Sequence, residues 1–225
     1  MKEQNEQPFA APVDRNAQLI ALTFDDGPNT EITPQVLDIL EENGASASFF
    51  LIADNITSAS EQVVRRAFDM GCGIENHSLT HGFMNRMSPE TIRAEVSACT
   101  ERIVRITGTK PRFFRPPYIA VSRTMFEEIG LTFICGVGCE DWVPEVSAAE
   151  RAKRVLSAAK HGDIILLHDM RGNVGTVEAL RVIIPALKSR GFRFVSCGQL
   201  FDELHVTPVH GRLYSNVFQT ADMPS

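Results

Sequence analysis

The chain has little of several things, and each shortage removes a class of function. Basic residues are outnumbered, with 22 Lys and Arg against 28 Asp and Glu and a net charge of −6. Nucleic-acid binding needs clustered Lys and Arg to neutralise phosphates, and no basic stripe with interleaved aromatics occurs here. Long apolar runs are absent: a stretch such as 164–167 falls far short of the roughly 20 residues that a bilayer span requires. Tryptophan occurs once and tyrosine twice, too few to say how long any binding groove is. The five cysteines (72, 99, 135, 139 and 197) are an odd set that cannot all pair within one chain. Cys135 and Cys139 lack a second thiol pair at zinc-finger spacing, so buried or idle thiols are expected, leaning towards a reducing compartment. The first 18 residues are polar and lack the basic start and apolar stretch of an export signal, so none is expected in the chain as given.

What is present is an alternation of strands and helices. At 225 residues, with 44% apolar and 22% charged residues, the chain suits one large domain. Apolar runs predict strands at 19–24, 47–52, 73–75, 113–114, 132–135, 164–167 and 192–195. Helix-period segments lie between them at 33–42, 60–70, 88–107, 122–129, 148–160 and 174–189. Ser88 followed by Pro89 marks a helix start, and Gly44, Gly71, Gly108, Gly130, Gly162 and Gly191 stand where a left-handed terminating residue is expected. Such alternation implies a parallel sheet with helical crossovers. About seven units suit a distorted (β/α) barrel in a single α/β domain over 18–203, with a flexible N-terminal segment at 1–17 and a loosely attached C-terminal tail at 204–225.

Five segments carry the chemistry. The first is Thr23-Phe24-Asp25-Asp26-Gly27-Pro28, where two carboxylates end a strand and Gly-Pro stops it. Crowded anions favour a nearby cation or a raised pKa. His77 and His81, four residues apart, can aim both imidazoles at one point, and one of the two carboxylates would complete a metal site with open positions. The other acid would stay free for proton transfer. In Arg115-Pro116-Pro117-Tyr118 two prolines remove backbone donors and make a rigid turn, so Tyr118 carries the first free N–H, suited to an oxyanion. Arg115 can grip a carboxylate. His168 needs an orienting partner, for which Asp141 and Asp169 are both candidates, and an oriented imidazolium can protonate a leaving group. Trp142 with Leu167 would form a small apolar wall of methyl size.

In this order, Thr23–Pro28, His77-Ser78-x-x-His81, Arg115–Tyr118, Asp141-Trp142 and Leu167-His168-Asp169 resemble the motifs of the polysaccharide deacetylase family, the NodB-homology domain of carbohydrate esterase family four. The resemblance covers about residues 18–203, which makes that span the expected catalytic domain. It implies that Asp26, His77 and His81 hold one divalent ion, zinc or else cobalt or another metal. It implies Asp25 as general base, oriented by Arg115, and His168 as general acid, tuned by Asp141. The Tyr118 N–H would serve the oxyanion, and Trp142, Leu167, Pro117 and Tyr118 would contact substrate. The implied partner is an acetylated oligo- or polysaccharide met by a monomer, in a family often secreted or bound to the cell envelope. N-Acetyl groups of N-acetylglucosamine glycans (chitooligosaccharide or peptidoglycan) are the expected target, with acetylated xylan as the alternative and a non-catalytic carbohydrate-binding role behind both. Many members have Gly after Pro-Pro-Tyr, whereas this chain has Ile119, a departure expected to alter groove shape.

Overall fold

Each of the seven expected apolar runs is a strand, with no end displaced by more than one residue. The computed structural model describes residues 17–221. Its strands are β1 (Gln18–Asp25), β2 (Ala47–Leu51), β3 (Gly73–Asn76), β4 (Phe113–Phe114), β5 (Thr132–Ile134), β6 (Val137–Gly138), β7 (Ile164–His168), β8 (Phe192–Phe194), β9 (Leu213–Asn216) and β10 (Gln219–Ala221). The helices are α1 (Ile32–Glu42), α2 (Glu61–Asp69), α3 (Pro89–Thr107), α4 (Arg123–Glu128), α5 (Ala148–Ala158), α6 (Val174–Ser189) and α7 (Cys197–Glu203). Ser88 caps α3, with its Oγ accepting from the Thr91 N–H, and all the expected helix-ending glycines except Gly130 have positive φ.

The strand order is β10-β9-β5-β4-β3-β2-β1-β7-β6, with β8 pairing Gln18–Ile20 of β1. Every pairing is parallel except β9 with β10. A bridge between Asp163 and Asn216 joins the start of β7 to β9 and brings the sheet round into a nearly closed barrel. Asn216 Nδ2 donates to Asp163 Oδ1 at 2.7 Å and to the His161 carbonyl at 2.9 Å, and the Val217 N–H donates to the Gly162 carbonyl.

Side chains alternate along each strand and so divide the core in two. Ala21, Phe50, Phe113, Ile134 and Ile164 join Leu200 and Phe201 of α7 and Tyr214 in a small inner cluster. Ile20, Leu22, Phe24, Phe49, Ile165 and Leu167 meet α1 and α6 in a larger outer layer. The outward parity of β1 therefore leaves Thr23 and Asp25 on the inner side, which is why a carboxylate at a buried strand tip reaches the barrel mouth.

The C-terminal expectation is corrected. Residues 204–225 do not form a mere tail: they contain β9, which pairs with β5, and Tyr214 and Val217 are buried. Without them the barrel would have an open edge between β5 and β7, a costly arrangement of unpaired strand groups. Residues 1–16 and 222–225 of the two expected end segments lie outside the described residues. All five cysteines are free, and all but Cys135 are buried.

Candidate active site

The polar ends of the strands converge on one face of the barrel. Asp26, just past β1, has φ 70, a left-handed conformation that turns its carboxylate back towards the histidines. Its Oδ1 lies 3.5 Å from His77 Nε2 and 3.4 Å from His81 Nε2. This oxygen is buried and accepts no hydrogen bond from any described residue, which is costly unless something else binds it. His77 Nδ1 meets the Arg115 carbonyl at 2.7 Å, which places the proton there and leaves Nε2 as a lone pair facing Asp26. His81 is also held at positive φ, 62°, with its N–H donating to Ser78 Oγ. The loop between the histidines is tied down by Glu95 of α3, whose carboxylate accepts from the Leu79 and Thr80 N–H groups and the Thr80 hydroxyl. One carboxylate oxygen and two imidazole nitrogens, all within 4.8 Å of one another, fit a divalent ion that keeps open positions.

Asp25 points the other way. Its Oδ1 accepts from Arg115 Nη1 at 2.5 Å, and its Oδ2 lies 3.7 Å from His77 Nε2, beside the ligand cluster. Arg115 is fully buried, its guanidinium 4.2 Å from the Phe50 ring centroid. Gly136 makes room for it: a Cβ there would come 3.1 Å from Arg115 Nη2 and 3.0 Å from Leu166 Cβ. After Arg115, the prolines bring the chain to Tyr118 at φ 59 and Ile119 at φ 53. The Ile119 and Ala120 N–H groups bond back into the turn, while the Tyr118 N–H has no acceptor among the described residues. Tyr118 is 58% exposed, with its ring stacked on Phe83 at 4.2 Å and edge-on to His81 at 4.6 Å. Pro117, expected as a substrate contact, is buried, so it shapes the turn and Tyr118 presents the surface.

On the opposite side, His168 Nδ1 pairs with Asp141 Oδ1 at 2.8 Å, and the His168 N–H donates to Asp141 Oδ2 at 2.7 Å. Asp141 is therefore the orienting partner. Burial lowers the His168 pKa, but the Asp141 bond and the charge of Asp25 outweigh it and hold the imidazole above its ordinary value. Asp169, the other candidate, turns away: Thr33 Oγ1 donates to it at 2.5 Å and a Cβ at Gly27 would lie 2.7 Å from its oxygens. Burial raises the Asp169 carboxyl to about 7. Burial also raises Asp26, yet nearby His77, followed by His168 and His81, outweighs this and holds it below the usual carboxylate value.

One expected residue is misplaced. Leu167 belongs to the outer layer against the helices, because it has the opposite parity to His168. Leu166 shares the inner side with His168, and its Cδ2 lies near Gly138 and the Trp142 ring. Trp142 is half-exposed and stands edge-on to His168 at 5.3 Å, so the apolar wall is Trp142 with Leu166. Beside Asp26 a polar cavity of about 480 Å³ opens, bordered by Asn29, Asp54, Asn55 and Arg171. Sequence reasoning missed Glu95, Gly136 and Phe83, which touch the site only through long-range packing. It also missed Arg151, Asn173 and Thr176, which lie behind Asp141.

The polysaccharide deacetylase family model matches residues 13–134, more than half of the chain. A bifunctional xylanase/deacetylase of Pseudobutyrivibrio xylanivorans is 46% identical over 204 residues, 90% of this chain and 34% of that protein. A peptidoglycan-N-acetylglucosamine deacetylase of Listeria monocytogenes is 34% identical over 193 residues, 85% of this chain and 41% of that protein. The chain thus spans about a third and about two fifths of the length of these two relatives. Among solved structures, a family 4 acetyl xylan esterase of Clostridium thermocellum, in complex with a cobalt ion, superposes with a TM-score of 0.86 at 38% identity, covering 89% of this chain and 99% of that one. Motif order, barrel and family match agree: the chain belongs to the polysaccharide deacetylase family, the NodB-homology domain of carbohydrate esterase family four.

Proposed function

We propose that this chain is a metal-dependent hydrolase that removes acetyl groups from a carbohydrate polymer, with O-acetylated xylan as the leading substrate class. The observation that carries the hydrolytic reading is the orphaned Asp26 Oδ1 facing the Nε2 atoms of His77 and His81, with Asp25–Arg115 on one side and His168–Asp141 on the other. The substrate preference rests on relatives: the xylan-linked proteins are 46% and 38% identical, and the peptidoglycan enzyme 34%. On this support we read xylan ahead of the N-acetylglucosamine glycan, which stands as the second reading.

Asp26, His77 and His81 would hold zinc, or cobalt as the alternative. The ion would supply a Lewis acid and lower the pKa of a coordinated water. Arg115 fixes the direction of Asp25, whose free Oδ2 faces the cluster and takes the proton from the attacking water. The Tyr118 N–H, held open by its left-handed backbone, donates to the oxygen on which charge develops. His168, anchored through Nδ1, presents Nε2–H to the departing sugar oxygen or nitrogen. Trp142 and Leu166 border a space suited to a methyl group.

Acetate release from acetylated xylan and from chitopentaose, measured on EDTA-stripped protein with and without added zinc, tests this reading. Zinc-dependent release with xylan ahead is the expected result. A preference for chitopentaose would move the substrate to the second reading, and release from neither with zinc bound would overturn the function.

A further inference from the structure

Arg151 of α5 is a buried cation with no carboxylate in salt-bridge contact among the described residues. Its charge is solvated by bridges that lead to one place. Nη1 donates to Asn173 Oδ1 at 2.6 Å and to Thr176 Oγ1 at 3.2 Å. Thr176 Oγ1 then donates to Asp141 Oδ2 at 2.8 Å, while Asn173 Nδ2 reaches the same oxygen at 3.4 Å and the His168 carbonyl at 2.9 Å. Nε and Nη2 bond the Val146 and Val143 carbonyls, which lock the guanidinium in place. Gly175 leaves it space, since a Cβ there would stand 2.7 Å from Nη1. A buried charge is tolerated only when balanced, and the balancing anion reached through these two side chains is Asp141, itself fully buried.

Resting on the proposed function, we infer that Arg151, Thr176 and Asn173 are positioning residues for the general acid: they set the orientation and charge of Asp141 and so fit His168 to protonate the leaving group. Asp141 uses Oδ1 for the imidazole and Oδ2 for the His168 N–H and this array. With Oδ2 engaged, less of the carboxylate's charge is drawn onto the His168 ring, and the imidazolium stays a willing proton donor. Asp141 alone would hold that proton more tightly.

The test separates leaving groups. A sugar hydroxyl or amine must be protonated as it departs, whereas 4-nitrophenolate departs without a proton. In the zinc-loaded enzyme, Thr176→Val and Arg151→Met should lower kcat for acetate release from the acetylated oligosaccharide about 10- to 100-fold at unchanged KM. Both should largely spare 4-nitrophenyl acetate, and Arg151→Lys should recover most of the loss. Equal losses on the two esters, or none on either, would overturn the inference. A second readout needs no turnover: the proton resonance of His168 Nδ1–H should move downfield in Thr176→Val, and an unmoved resonance would also overturn it. If the unaltered enzyme released no acetate the functional reading would fall, while the resonance would still decide whether the array acts on His168.

Discussion

The metal side and the acid side of the site are built on opposite plans. Around Asp26, His77 and His81, ligand atoms face one another unpaired, and three of the residues that shape the loops (Asp26, Ser78 and His81) hold positive φ. Behind the His168 ring the polar groups are paired in series, from Nδ1 through Asp141 and Thr176 to Arg151, with only Nε2 left open to the mouth of the site. On the proposed reading the first side would be completed by a metal ion. The second is complete without it. At Asp26 an unpaired buried oxygen stands between two imidazoles, as a ligand site requires, whereas the paired network behind His168 serves positioning.

The contrast breaks most severely on the open side. His77→Ala should lose metal and abolish acetate release, with metal content by mass spectrometry and acetate assays moving together. Asp25→Asn should cost roughly 10²–10⁴ in rate while metal stays bound, because it removes proton transfer and leaves the ligands alone. Gly136→Ala should act next: its methyl would crowd Arg115 and Leu166 at a position with φ +95, turning Asp25 aside. Its kcat should fall by about 10-fold with metal content unchanged.

Smaller effects sharpen the comparison. Since Asp141 raises the His168 pKa, the alkaline limb of the rate profile should lie above the ordinary imidazole value of about 6.5. The sign for stability agrees: a raised folded-state pKa contributes fully below the unfolded value and is lost as pH climbs through the folded one. Asp141→Asn should bring that limb down, as read from kcat against pH. Away from the site, Asn216→Ala removes the donor closing the barrel and should lower stability by about 1–3 kcal/mol in urea titration, with turnover of the folded fraction retained.

Much of this was legible in the sequence, for identifiable reasons. Strands β1, β2 and β7 are continuous apolar runs, and the paired acids, the spaced histidines and the Pro-Pro turn are local patterns. β9 was hidden because Leu213–Asn216 is short and polar, and only its pairing with β5 and β10 makes it a strand. α7 carried the signal Ser196-x-x-Gln199, which forms a capping box, but it is only seven residues long. The Leu167 error came from adjacency in sequence: parity along β7 puts Leu166, not Leu167, beside the chemistry. The array behind Asp141 draws Arg151 from α5 and Asn173 and Thr176 from the start of α6, a meeting that only the packing of two helices creates.

Ile119 stands at φ 53, where a β-branched side chain fits poorly and where the family often has glycine. Asp26, His81 and Tyr118 share this left-handed geometry without glycine's tolerance for it. Each such residue costs roughly 1–2 kcal/mol relative to a relaxed backbone. Mutational drift therefore finds easy stabilising steps at the very positions that bear ligands, and a descendant freed from selection for turnover would gain robustness by shedding them. At Ile119, as at Glu140 and His205, that gain comes without surrendering a reactive group, and Ile119 is the one of these that adjoins the site.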